Sequence, residues 1–138
     1  MRRAGFRELE HPADLALQVY GDDLSTLYLN AARGLQHLLR CAAADTLLDT
    51  PDTQVSLQSP DLETLMVDWL GELLYLTEQH GHGWTVHDVR VTSPGALTAT
   101  VSRARNGRPQ RSIKAVTFSG LSIVKGPDGY EAAIVFDV

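Results

Sequence analysis

Phe6 to Gly21 reads FRELEHPADLALQVYG, and it predicts how the first sheet of this 138-residue chain begins. Two short segments flank a His-Pro-Ala-Asp turn, and in the second segment Leu15, Leu17 and Val19 alternate with polar or small residues. Alternation with a period of two is typical of a strand with one buried face. The stretch therefore predicts a pair of strands joined by a turn that carries a histidine and an aspartate.

Two amphipathic helices are predicted after this hairpin. Asp23 can cap the first, whose apolar residues recur at helical spacing as far as Leu39. Ser59 or Asp61 can cap the second, which ends at the glycines of residues 80–83. Between the two helices, TQVSLQS has the period-two pattern of a strand.

The rest of the chain predicts strands in hairpin order. The four segments are WTVHDVRVTS, ALTATVSRAR, SIKAVTFSGLSIVKG and YEAAIVFDV. Asn106-Gly107 and Asp128-Gly129 are strong hairpin signals. Two helices among roughly seven strands predict the α+β class. We expect one two-layer domain over residues 1–138, with both helices packed on a mostly antiparallel or mixed sheet.

Composition limits the class of protein. Apolar residues make up 43% of the chain and charged residues 21%, as in an ordinary globular domain. A single cysteine excludes an internal disulfide, and no apolar run approaches the ~18 residues of a membrane span. We therefore expect a cytoplasmic protein without a membrane partner. The formal net charge of −5 argues against general nucleic-acid binding, which depends on Lys and Arg.

The first candidate site combines the turn with the end of the last strand. Asp14 follows His11 in the turn, and Asp137 interrupts the apolar pattern of the last strand just before Val138. If that strand pairs beside the hairpin, the two carboxylates and the Val138 backbone carbonyl or carboxylate converge, and an all-oxygen cluster suits calcium or magnesium. The alternative is a turn carboxylate bonded to backbone amides, and a strand that ends in water.

A second candidate is the basic run RARNGRPQRSIK. Its four arginines lie on a predicted hairpin, where they would form a docking patch for a phosphate backbone or an acidic partner surface. These residues are Arg103, Arg105, Arg108 and Arg111. A solvated turn is the alternative. The sequence contains no glycine-rich phosphate loop, which argues against an independent nucleotide-driven enzyme.

Four blocks of the sequence, in order and spacing, resemble the archease family. They are LEHPADLALQVYG, LMVDWLGELLYL, IKAVTFSGLSIV and the terminal VFDV, and the resemblance runs from Phe6 to Val138. Pro12, Gly71 and Phe118 stand where the family usually has threonine, asparagine and tyrosine. None of these departures falls on an acidic position.

The resemblance implies a non-enzymatic cofactor protein whose partner is an RtcB-type RNA ligase. Such a protein promotes guanylylation of the ligase and its multiple turnover in tRNA splicing or RNA repair. It implies a metal, typically Ca²⁺, with Mg²⁺ or another divalent cation possible, bound by Asp14, Asp137 and Val138. His11 would orient that site, and Lys114 would place a charge near it.

Two other functions remain open, the first from the residues and the second from the resemblance. One is a small metal-dependent hydrolase or phosphatase that uses Asp14, Asp137 and His11 directly. The other is a chaperone-like modulator of RNA-modifying enzymes. For the ligase cofactor we expect a monomer or weak oligomer that meets RNA only through the ligase.

Overall fold

The computed structural model describes residues 5–9, 15–39, 52–81, 83–92, 94–103 and 109–138. Two helices and eight strands lie in these ranges, and every strand pair is antiparallel. In chain order they are β1 (Phe6–Leu9), β2 (Leu15–Gly21), α1 (Leu24–Leu38), β3 (Thr53–Gln58), α2 (Leu62–His80), β4 (Trp84–Thr92), β5 (Ala96–Arg103), β6 (Ala115–Thr117), β7 (Ile123–Gly126) and β8 (Gly129–Asp137). The predicted α+β class is confirmed.

The strands form two sheets where the sequence suggested one. The first sheet has the order β1-β2-β8-β6, and β7 also pairs with β8. The second has the order β3-β5-β4. The predicted strand SIKAVTFSGLSIVKG is divided into β6 and β7 by a turn, in which Leu121 N–H donates to the Phe118 carbonyl at 3.0 Å. Both short strands lie along the same side of β8, which is therefore an inner strand of its sheet.

The helices begin and end where local chemistry predicts. Asp23 caps α1 by accepting a hydrogen bond from Thr26 N–H at 2.7 Å, and Asp61 caps α2 through Thr64 N–H at the same distance. These bonds lower the pKa of both carboxyl groups, because they stabilise the ionised form. Gly81 ends α2 with a φ of 73°, the left-handed conformation that favours glycine.

The two helices join the sheets into one core. α1 packs against β1, β2 and β4, and α2 packs against β3 and β6. Trp69 and Tyr28 are completely buried between the helices, where the Trp69 indole N–H donates to the Tyr28 carbonyl at 2.9 Å. The Tyr28 hydroxyl donates to the Leu62 carbonyl at 2.5 Å, and burial raises the pKa of that hydroxyl. Each such large side chain stabilises the fold by about 1.5–3 kcal/mol through burial.

Neither helix is a membrane-spanning segment. Within the described ranges, no helix combines the length and the hydropathy that crossing a bilayer requires.

Candidate functional site

The last strand ends in an exposed acidic residue at the middle of the first sheet. Leu15 of β2 pairs with Phe136 of β8, and Ala115 of β6 pairs with Asp137. Phe136 is completely buried, whereas Asp137 and Val138 are exposed. The pairing of the last strand with the hairpin, on which the sequence prediction depended, is therefore present.

Lys114 lies next to this strand end. Its backbone N–H donates to the Asp137 carbonyl at 2.8 Å, and its side chain is exposed immediately before β6. The structure therefore brings Lys114 and Asp137 together, although they are far apart in sequence. His11 and Asp14, the other two predicted side chains, lie outside the described residues.

The donors present at this position fit a hard cation. Asp137 offers carboxylate oxygens, and Val138 offers a backbone oxygen at an exposed position where water can complete a shell. Both groups supply oxygen, whereas zinc prefers sulfur and imidazole ligands. Among the described residues no three His, Cys, Asp or Glu side chains form a cluster able to hold a metal. A metal site here with three side-chain ligands therefore needs at least one donor from outside the described residues.

The basic run is described only in part. Arg105 and Arg108 lie outside the described residues, and of Arg103 only the backbone is described, in β5. The Arg111 side chain is 21% exposed and lies 3.5 Å from the Glu8 carboxylate of β1. Arg111 also lines a cavity of about 380 Å³ together with Leu39 and Ile113. Arg111 is thus engaged in packing as well as in charge pairing.

A hydrogen-bonded chain in the second sheet was not anticipated from the sequence. The β4–β5 register shifts between Val86 and Asp88, and this bulge directs His87 so that its Nε2 lies 2.5 Å from Ser102 Oγ. The buried Ser102 hydroxyl donates to the Asp52 carboxylate, so His87 Nε2 carries the proton toward Ser102. These hydrogen bonds join β4, β5 and the start of β3. The sequence could not predict them, because the position of His87 depends on the bulge.

A groove along α2 was also missed. Its lining includes Asp68 and Glu72 of α2, Leu57 of β3 and Lys114. The groove encloses about 510 Å³. Asp68 and Glu72 stand four residues apart in the sequence, a spacing common on a solvated helix flank, and the groove exists only once α2 lies between β3 and β6.

Over residues 6–138 the sequence matches the archease protein family (MTH1598/TM1083). The chain belongs to the archease family. Protein archease of Methanosarcina barkeri is 34% identical over 144 residues, which cover 96% of this chain and 95% of that protein. Protein archease of Archaeoglobus fulgidus is 29% identical, with 96% and 98% of the two chains covered.

Solved structures share the archease fold. Protein 1598 of Methanobacterium thermoautotrophicum superposes with a TM-score of 0.71 at 22% identity, covering 97% of this chain and 99% of that one. An archease from Thermotoga maritima, described as a possible chaperone, gives a TM-score of 0.66 at 22% identity, with 100% and 98% covered.

Proposed function

We propose that this archease-family chain is a metal-binding, non-enzymatic activator of an RtcB-type RNA ligase. It would promote guanylylation of the ligase and multiple turnover in tRNA splicing or RNA repair. Membership of the family supports the class of function, and the described strand end supports the site.

The observation that carries this proposal is the register of β2 with β8. Leu15 and Phe136 are paired, and their Cα atoms in such a pair are about 4.5–5.5 Å apart. Asp14 is the residue before Leu15, and Asp137 is the residue after Phe136. The two acidic residues thus adjoin one strand pair, and Asp14 is a suitable source of the missing donor.

The exposure of the site favours action on another macromolecule. Asp137, Val138 and Lys114 are all exposed at the end of the sheet, where a large partner can reach them. When bound, a divalent cation would supply positive charge that stabilises phosphate or carboxylate oxygens. Asp137 would hold and orient that ion, while the Lys114 ammonium would add a second, metal-independent positive charge.

A ligation assay with limiting ligase tests the proposal. Turnover by the cognate RtcB-type ligase, with GTP and a cleaved RNA, should rise when this protein and Ca²⁺ are added. Asp137→Asn should remove the increase, because an amide keeps the shape of the side chain but loses the charge that a hard cation requires. Asp128→Asn is the matched control, since Asp128 is exposed at the opposite end of β8.

Two results would contradict the proposal. One is equal ligase turnover with and without the protein at every concentration of protein and metal. The other is phosphate-ester hydrolysis by the purified protein alone that Asp137→Asn abolishes, which would identify the metal-dependent hydrolase instead.

A further inference from the structure

Edge strands expose unpaired backbone groups, and most edges of this protein are protected. α1 covers the edge of β4: Val91 N–H donates to Ser25 Oγ at 2.9 Å, and Trp84 N–H donates to Gln36 Oε1 at 3.3 Å. At β7, Ile123 N–H donates to Glu63 Oε2 at 2.9 Å. Side chains from the helices therefore take the place of a further strand at both positions.

Two more edges offer little to a partner. β6 has three residues, too few for an extended ladder. β1 has four, and two of them are the charged Arg7 and Glu8, which discourage edge-to-edge pairing. Short length and charge are the usual protections of a free edge.

Among the described residues, β3 has none of these protections. Its six residues, TQVSLQ, include no charged residue and no proline, and β5 is its single partner among the described strands. Ser59 N–H donates to the Gly95 carbonyl at 2.8 Å in the register of the β3–β5 ladder. Since bonded and non-bonded pairs alternate in an antiparallel ladder, the N–H groups of Gln54, Ser56 and Gln58 point away from β5. Within the described part of the chain, no partner accepts a hydrogen bond from these three groups.

The groove along α2 adjoins this strand. Leu57 of β3 and Ala115 of β6 both contribute to its lining, so the groove lies between edge strands of the two sheets.

The groove lining has more carboxylates than cations. The carboxylates are Asp68, Glu72 and Glu78, and the cation is Lys114. Tyr75, which is 55% exposed, also lines the groove and offers an aromatic face to a cation or an aliphatic stem.

We infer that an extended, basic segment of the partner ligase docks in this groove by adding a strand to β3. Its backbone would pair with the outward N–H and C=O groups of Gln54, Ser56 and Gln58. Lys or Arg side chains at alternate positions would meet Glu72 and Glu78 of α2, while the intervening side chains face away. The identity of the partner rests on the proposed function. The groove reaches the Asp137 strand end through Lys114 and Ala115, but Ser56 and Glu72, which are tested below, are not part of that site.

A single proline tests the backbone pairing. Ser56→Pro removes an outward N–H and leaves the β3–β5 ladder bonds in place, since proline is tolerated on the free side of an edge strand. Ser56→Ala is the control, because it also loses the hydroxyl but keeps the N–H. Proline should weaken binding of the ligase by about tenfold, whereas alanine should leave it within about twofold. Equal melting temperatures of the two variants would show that the fold is retained.

A charge reversal tests the groove without altering the backbone. Glu72→Lys should weaken binding of the ligase, and more strongly at low salt than at high salt, because exposed charges are screened. Asp128→Lys makes the same change of net charge in the β7–β8 turn and should have little effect. Hydrogen exchange adds a direct readout: the amides of Gln54, Ser56 and Gln58 should exchange rapidly in the free protein and slowly in the complex.

Binding and turnover are measured separately so that the two proposals can fail separately. Weaker binding by Ser56→Pro and Glu72→Lys, with normal maximal turnover at saturating protein, supports the docking surface. Unchanged binding by both variants overturns it, even if the protein activates the ligase. Slow exchange of the three amides in the free protein, self-association through β3, or no binding of the ligase would also overturn it. Binding through β3 without activation would instead leave the docking surface standing and remove the proposed function.

Discussion

At the scale of single residues, Gly129 combines a left-handed backbone conformation with a close backbone neighbour. Its φ is 117°, and a Cβ built there would lie 2.5 Å from the carbonyl oxygen of Gly21. Both the conformation and the close approach exclude other side chains. Gly71 is the opposite case, because a Cβ added in the middle of α2 would meet nothing within 4 Å.

These two glycines predict opposite effects of the same substitution. Gly129→Ala should lower the free energy of unfolding by about 1–3 kcal/mol through strain at the β7–β8 turn. Gly71→Ala should raise it by about 0.5–1 kcal/mol, since alanine restricts the unfolded chain and favours helix. Urea unfolding followed by circular dichroism measures both. Destabilisation by Gly71→Ala would contradict the open space seen at that position.

A metal-site prediction also belongs at this scale. Removal of Asp137 and Val138 should abolish Ca²⁺ binding measured by calorimetry, while the fold survives because Phe136 still packs in the core. The Asp128→Asn protein, with its β8 end intact, is the reference. Calcium binding by the truncated protein with unchanged affinity would separate Asp137 from the metal.

At the scale of helices and strands, the N-caps predict a pH dependence. The pKa of Asp23 is lowered from 3.8 in the folded protein by its bonds to Thr26. In acid the unfolded chain therefore binds more protons, so this stabilisation is present above pH 3.8 and is lost as pH falls through the lowered folded pKa. Asp23→Ala should cost about 0.5–2 kcal/mol at neutral pH, and the difference from wild type should shrink in acid.

Asp23→Asn is the matched variant, because an amide oxygen also caps a helix but does not titrate in this range. It should keep most of the neutral-pH stability and remove the acid-dependent part. Thermal unfolding at several pH values between neutral and strongly acidic gives the comparison. A constant gap between Asp23→Ala and wild type at all pH values would mean that the ionised carboxylate is not the source of the stabilisation.

Local signals in the sequence predicted the elements better than their arrangement. Asp23, Asp61 and Gly81 mark helix ends because their side-chain or backbone chemistry acts within one turn. Local signals do not predict which strands pair, because the partners can be far apart in sequence. Gln18 donates to Glu131 at 3.4 Å, although the two residues are 113 positions apart. Two sheets could not be distinguished from one by alternation, since both arrangements bury the same faces.

The candidate site was predictable to the same degree. The exposed Asp137 at the end of an apolar strand is visible in the sequence, and its distance from the hairpin follows only from the register of β2 with β8. Asp14 and His11 stay predictions, as they lie outside the described residues. The groove could not be predicted, because Leu57, Glu72 and Lys114 come from three separate segments.

At the scale of the whole molecule, shared packing predicts cooperative unfolding. α1 contacts strands of both sheets, and so does α2. If either sheet separated from the helices, the shared core around Trp69 of α2 would be exposed to water. We expect a single calorimetric transition whose van't Hoff and calorimetric enthalpies agree. Two resolved transitions would show instead that the sheets unfold as separate units.

The central place of β8 has a consequence for synthesis on the ribosome. β8 follows all the other strands in the chain, yet it separates β2 from β6 and β7. At about 5–20 residues per second, the nascent β1–β2 hairpin waits about 5–20 s for its neighbour. Until then one side of β2 is an open edge with which other chains can pair. The strands of the second sheet are all made earlier, so that sheet can form first. Completion of the first sheet therefore determines how long a nascent chain is exposed to aggregation.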